Sequence, residues 1–187
     1  MSPFSLAAAK IGYMDLRYPI GKFDFQQTVE PGRYAALIAE VAAAPALYRD
    51  AVRGLDEAQL DTPYRPEGWT VRQTVHHVAD SHMNSYIRMR LALTENEPTI
   101  KPYDQRAWAE LNDARTAPVE LSLQLIESMH ARWARLLETL NGADFARTFI
   151  HPVVGVMRLD TNLALYAWHG RHHAAHITGL RQRNGWK

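Results

Sequence analysis

The 187-residue chain has no cysteine, so disulfides, cysteine-ligated zinc and a protein thiol nucleophile are all excluded. That leaves imidazoles and carboxylates as the only strong metal ligands available. An excess of charge of either sign is also missing. With 21 Lys and Arg against 20 Asp and Glu, the formal charge is +1, and nothing in it favours nucleic acid or an anionic membrane surface. Apolar runs approaching the roughly 20 residues of a membrane helix are absent, and the start lacks the basic region and long apolar stretch of a secretion signal. A soluble, cytoplasmic protein is expected. Internal repeats and low-complexity segments are missing as well. What remains is ordinary globular material, 47% apolar and sized for one domain, with nine histidines.

Those histidines are unevenly placed. The stretch Trp168-His169-Gly170-Arg171-His172-His173-Ala174-Ala175-His176 holds four of them near the C-terminus. On a helix, His169 and His173 stand one turn apart, their Cβ atoms about 6 Å from each other, and both rings can lean onto one point. The pair His172 and His176 has the same spacing. Two nitrogens do not complete a site, because a divalent ion with an open position wants at least three protein ligands. The other histidine-rich stretch, Val75-His76-His77-Val78-Ala79-Asp80-Ser81-His82, is the source of a third. Spacing alone does not choose between His76 and His77, or between the two pairs.

Taken in order, residues 1–14, with the small apolar patch Leu6-Ala7-Ala8-Ala9, read as a loosely held extension, and 15–187 as one domain. From Asp15 to Glu30, Pro19 and Gly21 followed by Pro31 and Gly32 indicate an extended arm over the body. A first helix is predicted from Pro31 to Gly54, kinked or split by Pro45. Leu55 to Trp69, with Pro63, Pro66 and Gly68, is too punctuated for a regular element. Thr70-Val71-Arg72-Gln73 is a capping box opening a second helix to about Glu95. Along one face of that helix run Gln73, His77, Asp80 and Asn84, a polar stripe that is costly to bury unless something binds there. Glu97 to Pro118 is a long connection with room for one short helix from Asp104 to about Leu111. Helix three is expected from Pro118 to Leu140, with Leu121, Leu125, Met129, Trp133, Leu136 and Leu140 as its apolar stripe and Asn141-Gly142 closing it. Phe149 to Leu159 is a small hairpin or an irregular crossover. Asp160 is read as the N-cap of helix four, which carries the histidine cluster and ends near Asn184-Gly185. The expected fold is all-α: a four-helix bundle with an N-terminal arm and long crossover connections.

Several strings here resemble the YfiT-type branch of the DinB-like proteins. They are Asp15-Leu16-Arg17-Tyr18-Pro19-Ile20-Gly21, Asp61-Thr62-Pro63-Tyr64-Arg65, Gly68-Trp69-Thr70-Val71-Arg72-Gln73, His76 to Arg88, and Tyr166-Ala167-Trp168-His169. The resemblance spans about Asp15 to Trp186. It implies a four-helix bundle that binds a divalent metal through one histidine of the second helix and a pair from the last. The family's first ligand precedes an apolar residue, Ala and Asp, which selects His77 and not His76; its pair falls on His169 and His173. The likeness further implies a metal-dependent hydrolase and a homodimer, with bacillithiol-type thiol transferases as relatives in the wider superfamily.

Three neutral imidazoles on zinc or nickel leave the ion its full charge and one to three open positions. Such a cation can acidify a water or hold a small-molecule thiol as thiolate, so hydrolysis and thiol transfer start from the same site. A non-catalytic metal-binding stress protein is the third alternative. Gly170 stands where a zinc-protease motif carries its Glu after the first His, which argues against that chemistry. Asp80 is read as orienting a ligand imidazole or acting on water. Asn84 and His176 are candidates to line the pocket. His76, His82 and His172 read as surface or packing residues, and His130 and His151 offer no motif. Arg72, Arg88 and Arg90 are read as solvated surface cations rather than anchors for an anionic substrate.

Overall fold

The computed structural model describes residues 15–187, so the extension expected at 1–14 lies outside the described residues. After an arm of turns, a 3-10 turn at Pro31–Arg33 leads into α1 (Tyr34–Val52). Then come α2 (Glu57–Leu60), α3 (Val71–Thr94), α4 (Gln105–Ala109), α5 (Asn112–Thr116), α6 (Val119–Glu138) and α7 (Gly142–Phe145). A hairpin of β1 (Thr148–His151) and β2 (Gly155–Arg158), with Phe149 opposite Met157, precedes α8 (Leu159–Asn184). The long helices α1, α3, α6 and α8 form the bundle. Both α1 and α3 pack against α6 and α8, so α1 and α3 sit on one diagonal although they follow each other in the chain. The diagonal crossovers that this order requires are the connections of 53–70 and 139–158, while the long connection of 95–118 joins the adjacent α3 and α6. No helix among the described residues is long and apolar enough to cross a membrane.

Local chemistry accounts for the boundaries. Thr70 accepts from the Gln73 amide while the Gln73 side chain accepts from the Thr70 amide, the expected capping box. At the far end of α8, Gly185 takes a left-handed φ of 64°. Asp160 is not the N-cap of α8; Arg158 is, and the Asp160 carboxylate sits in the first turn accepting from the Thr161 amide and the Arg158 guanidinium. An acid there is favoured by the helix dipole. The stretch 55–69 does hold a regular element, the single turn α2, because Asp56 and Gln59 form a capping box of their own. Two short helices, α4 and α5, replace the one expected in 97–118. Asn141-Gly142 does not close α6 but opens α7, with Asn141 as N-cap.

Two expectations fail for instructive reasons. Pro45 lies inside a continuous α1. Its ring nitrogen cannot donate to the Val41 carbonyl one turn back, but His130 Nδ1 on α6 donates to that oxygen instead at 2.6 Å. The apolar stripe of α6 is also phased differently. Leu121 and Leu125 are 60% and 42% exposed, while Leu123, Ile126, Met129, His130, Trp133 and Leu137 face inward. The core has two apolar clusters, one around Leu37, Trp133 and Leu163, the other around Tyr48, Val75 and Ile177. On α3, α6 and α8 the change from one cluster to the other is marked by histidines, which form a polar layer across the bundle's middle.

Arg72 pins the start of α3. Buried at 3% exposure, its guanidinium donates to Asp61 at 2.7 Å, to the Ala117 carbonyl at 3.0 Å and to Glu57. We expect Arg72→Ala to destabilise the fold by about 2 to 3 kcal/mol, less than a fully buried pair because both acids are exposed. Urea unfolding measures this, and a loss under about 0.5 kcal/mol, the level of an ordinary surface change, would refute it.

Candidate metal centre

Helix α3 delivers His77 and α8 delivers His169 and His173, which lie one turn apart on one face. One nitrogen from each of the three rings lies within 4.8 Å of the others. Ring centroids are 4.5 Å apart for His169 and His173, 4.9 Å for His77 and His173 and 5.5 Å for His77 and His169. The close approach of α1 to α8 depends on Gly170, where a Cβ would already meet the Ala44 Cβ at 3.4 Å. A second trio, His172, His173 and His176, meets the same distance criterion and shares His173.

Hydrogen bonding separates the two trios. His77 is 3% exposed, and neither of its ring nitrogens has a hydrogen-bond partner among the described residues. Trp69 covers it, ring centroids 4.5 Å apart. His176 has both nitrogens engaged, Nδ1 with His173 Nδ1 and Nε2 with the Arg17 carbonyl, each at 3.3 Å. His169 Nδ1 meets His82 Nε2 at 3.0 Å, and His82 Nδ1 meets His130 Nε2 at 2.9 Å. The first trio therefore presents unshared ring nitrogens to a common point.

Burial also sets the charge state. Desolvation, followed by the neighbouring His172, pushes His77 down to about 4. His169 and His173 are driven well below the usual imidazole range, by burial first and then by the surrounding rings. Neutral imidazoles at pH 7 are what a borderline cation requires, and a set of three nitrogen donors suits zinc or nickel better than calcium or magnesium. The residues present thus fit such an ion.

Of the remaining candidates, Asp80 is half-buried and makes no hydrogen bond to a histidine ring among the described residues. Its carboxyl is raised to about 6, chiefly by desolvation and then by Asp113. The Asn84 side chain turns back to donate to the Asp80 carbonyl at 2.8 Å. His76 is a packing residue, its ring held by Ser122 Oγ at 2.7 Å and the Ala117 carbonyl at 3.1 Å. His172 stacks on Trp168, centroids 4.3 Å apart. The His151 ring accepts from the Val153 and Val154 amides in the hairpin turn. His82 and His130 are fully buried and joined to His169, a role their sequence surroundings did not suggest. Placing Ile126, Trp133 and Leu137 on the inner face would have put His130 there too.

Residues 40–177 match the DinB superfamily. A protein of Bacillus cereus (strain 03BB102) is 54% identical over 172 residues, 92% of this chain and 99% of that protein, and is named "Putative metal-dependent hydrolase". A Bacillus anthracis (strain A0248) protein of the same name has the same identity and coverage. Among solved structures, YfiT from Bacillus subtilis superposes with a TM-score of 0.89 at 48% identity, covering 92% of this chain and 99% of its own. It is described as a probable metal-dependent hydrolase with an unusual four-helix bundle topology. TT2238, a four-helix bundle protein, is similar in fold alone, with a TM-score of 0.52 at 21% identity over 75% of this chain and 94% of its own. With a match across most of its length, the chain belongs to the DinB superfamily.

Proposed function

We propose that the protein is a metal-dependent hydrolase of a small-molecule substrate in which His77, His169 and His173 hold one zinc or nickel ion. The observation that carries this reading is the convergence of three imidazoles, two of them buried, with His77 making no hydrogen bond among the described residues. When bound, such a cation supplies a Lewis acid that polarises a carbonyl oxygen and makes a water acidic near neutral pH. The names of the 54% identical Bacillus proteins support the same reaction class.

The chain itself must move the proton. Asp80 lies one turn along α3 from His77, on the same side of the helix. A carboxyl titrating near 6 is ionised at pH 7.5 yet basic enough to take a proton, so its Oδ atoms suit the exchange between the attacking water and the leaving group. Metal analysis of purified protein, then an activated-ester screen with His77→Ala as control, tests the reading. Ester turnover that needs both the metal and His77 is the expected result. Turnover only with a low-molecular-weight thiol and an electrophile would replace hydrolysis by thiol transfer, and none in either screen would leave a binding protein. Asp80→Asn should lower kcat about 10²-fold with metal content unchanged; wild-type kcat would remove Asp80 from the chemistry.

A further inference from the structure

We propose that His82, His130 and His176 are positioning residues that fix the tautomer and aim of the two α8 ligands through hydrogen-bond chains, each ending on a backbone carbonyl. The inference rests on the three-histidine reading above and extends it to rings that would not touch the cation.

The protons in these chains can be placed by elimination. An amide carbonyl only accepts, so His130 Nδ1 must carry the hydrogen it shares with the Val41 oxygen at 2.6 Å. A neutral imidazole has one N–H, which leaves His130 Nε2 as an acceptor. His82 Nδ1–H therefore donates to it at 2.9 Å, and His82 Nε2 is left as an acceptor in turn. His169 Nδ1–H donates to that atom at 3.0 Å. The one remaining lone pair of His169 is on Nε2. His82 and His130 are fully buried, and no carboxylate among the described residues bonds any of the three rings, so nothing there balances a second proton.

A second, looser chain repeats the pattern. The Arg17 carbonyl accepts from His176 Nε2–H at 3.3 Å, and His176 Nδ1 accepts from His173 Nδ1–H at 3.3 Å. His173 is thereby also left with its lone pair on Nε2. Tyr64 stacks on His176 with centroids 4.0 Å apart, holding that ring in plane. Both α8 ligands thus present Nε2, and each is backed by a hydrogen-bonded ring of the kind that raises ligand basicity and restricts its rotation.

The first chain has an unusual anchor. Val41 can offer its oxygen to His130 without competition from the helix because the residue four positions on is Pro45, which has no N–H to donate. The proline in α1 and the histidine in α6 are therefore two halves of one device that ends on His169.

Long-range proton–nitrogen correlation NMR of the cation-free protein at pH 7.5 tests the assignment without any metal. Nδ1–H signals are expected for His82, His130, His169 and His173, and an Nε2–H signal for His176. An Nε2–H form of His82 or His169 overturns the first chain. Cobalt(II) titration then tests the consequence: His130→Leu, folded by circular dichroism, should bind about 10- to 100-fold more weakly than wild type. In His130→Gln the side-chain oxygen can still accept from His82, and affinity should stay within about threefold of wild type. If wild type binds cobalt, His77→Ala does not, and His130→Leu binds like wild type, the chains play no positioning role while the three-histidine site stands. If wild type takes up no cobalt, the site itself fails and its supports with it.

Discussion

Replacing His77 by alanine is expected to weaken zinc binding by about 10²- to 10³-fold while hardly moving the melting temperature of the cation-free protein. Structural zinc sites with four ligands bind with about 10 to 16 kcal/mol, so one ligand accounts for about 3 to 4 kcal/mol. At about 1.4 kcal/mol per factor of ten, that gives the stated range. Stability without the ion behaves differently, because the His77 ring has no hydrogen bond to lose among the described residues. Truncation removes packing against Trp69 but also removes a ring, 3% exposed, that makes no hydrogen bond among the described residues. His169→Ala makes the contrast. It should lose a similar binding energy, yet it also leaves His82 Nε2 buried without its donor, at a cost of about 1 to 3 kcal/mol to the cation-free fold. Zinc titration calorimetry and melting curves of both variants check this pair of results. Wild-type zinc affinity in His77→Ala would remove that ring from the site.

Much of the frame was legible because its signals are local. The Thr70-Gln73 capping box, the proline and glycine punctuation of the arm, and the glycine that ends α8 each act within a turn or two of chain. The histidine pair of α8 was visible for the same reason, but spacing did not choose it over His172 and His176, and only the family resemblance did. Both pairs have the spacing of four, and only the position of α3 makes one of them converge with His77. His76 and His77 differ in the same way: one ring meets Ser122 and Ala117, the other meets α8. Pro45 misled because the rule for proline in a helix counts only partners on that helix, and the freed oxygen found its donor 89 residues away. In α6 the leucines drew the stripe toward solvent, hiding His130. A buried histidine sits where apolar residues are expected, so an apolar pattern read without it falls out of phase.

Acid should unfold the cation-free protein with a midpoint near pH 5. His77, His130 and His172 are pushed down to about 4 and His176 to about 3, each by burial first, whereas in the unfolded chain they titrate near 6.5. Above pH 6.5 all four are largely neutral in both states and take nothing from the stability. Between 6.5 and about 4 the unfolded chain binds the extra protons, so stability falls as pH falls. At pH 5 each ring has cost about 2 kcal/mol, about 8 kcal/mol for the four, which is comparable with the 5 to 15 kcal/mol of a typical domain. His82, His169 and His173 shift in the same direction and steepen the transition. A cation on the three-histidine site must oppose it, since only unprotonated rings bind. Zinc at about 100 times its dissociation constant adds about 2.7 kcal/mol. With all seven protons the slope is about 9 kcal/mol per pH unit, so the midpoint should drop by about 0.3 unit. Near- and far-ultraviolet circular dichroism from pH 8 to 3, with and without zinc, measures both numbers. A cation-free protein still native at pH 4 would mean that the buried rings reach water more freely than their packing indicates, and a midpoint unmoved by zinc would detach the ion from these histidines.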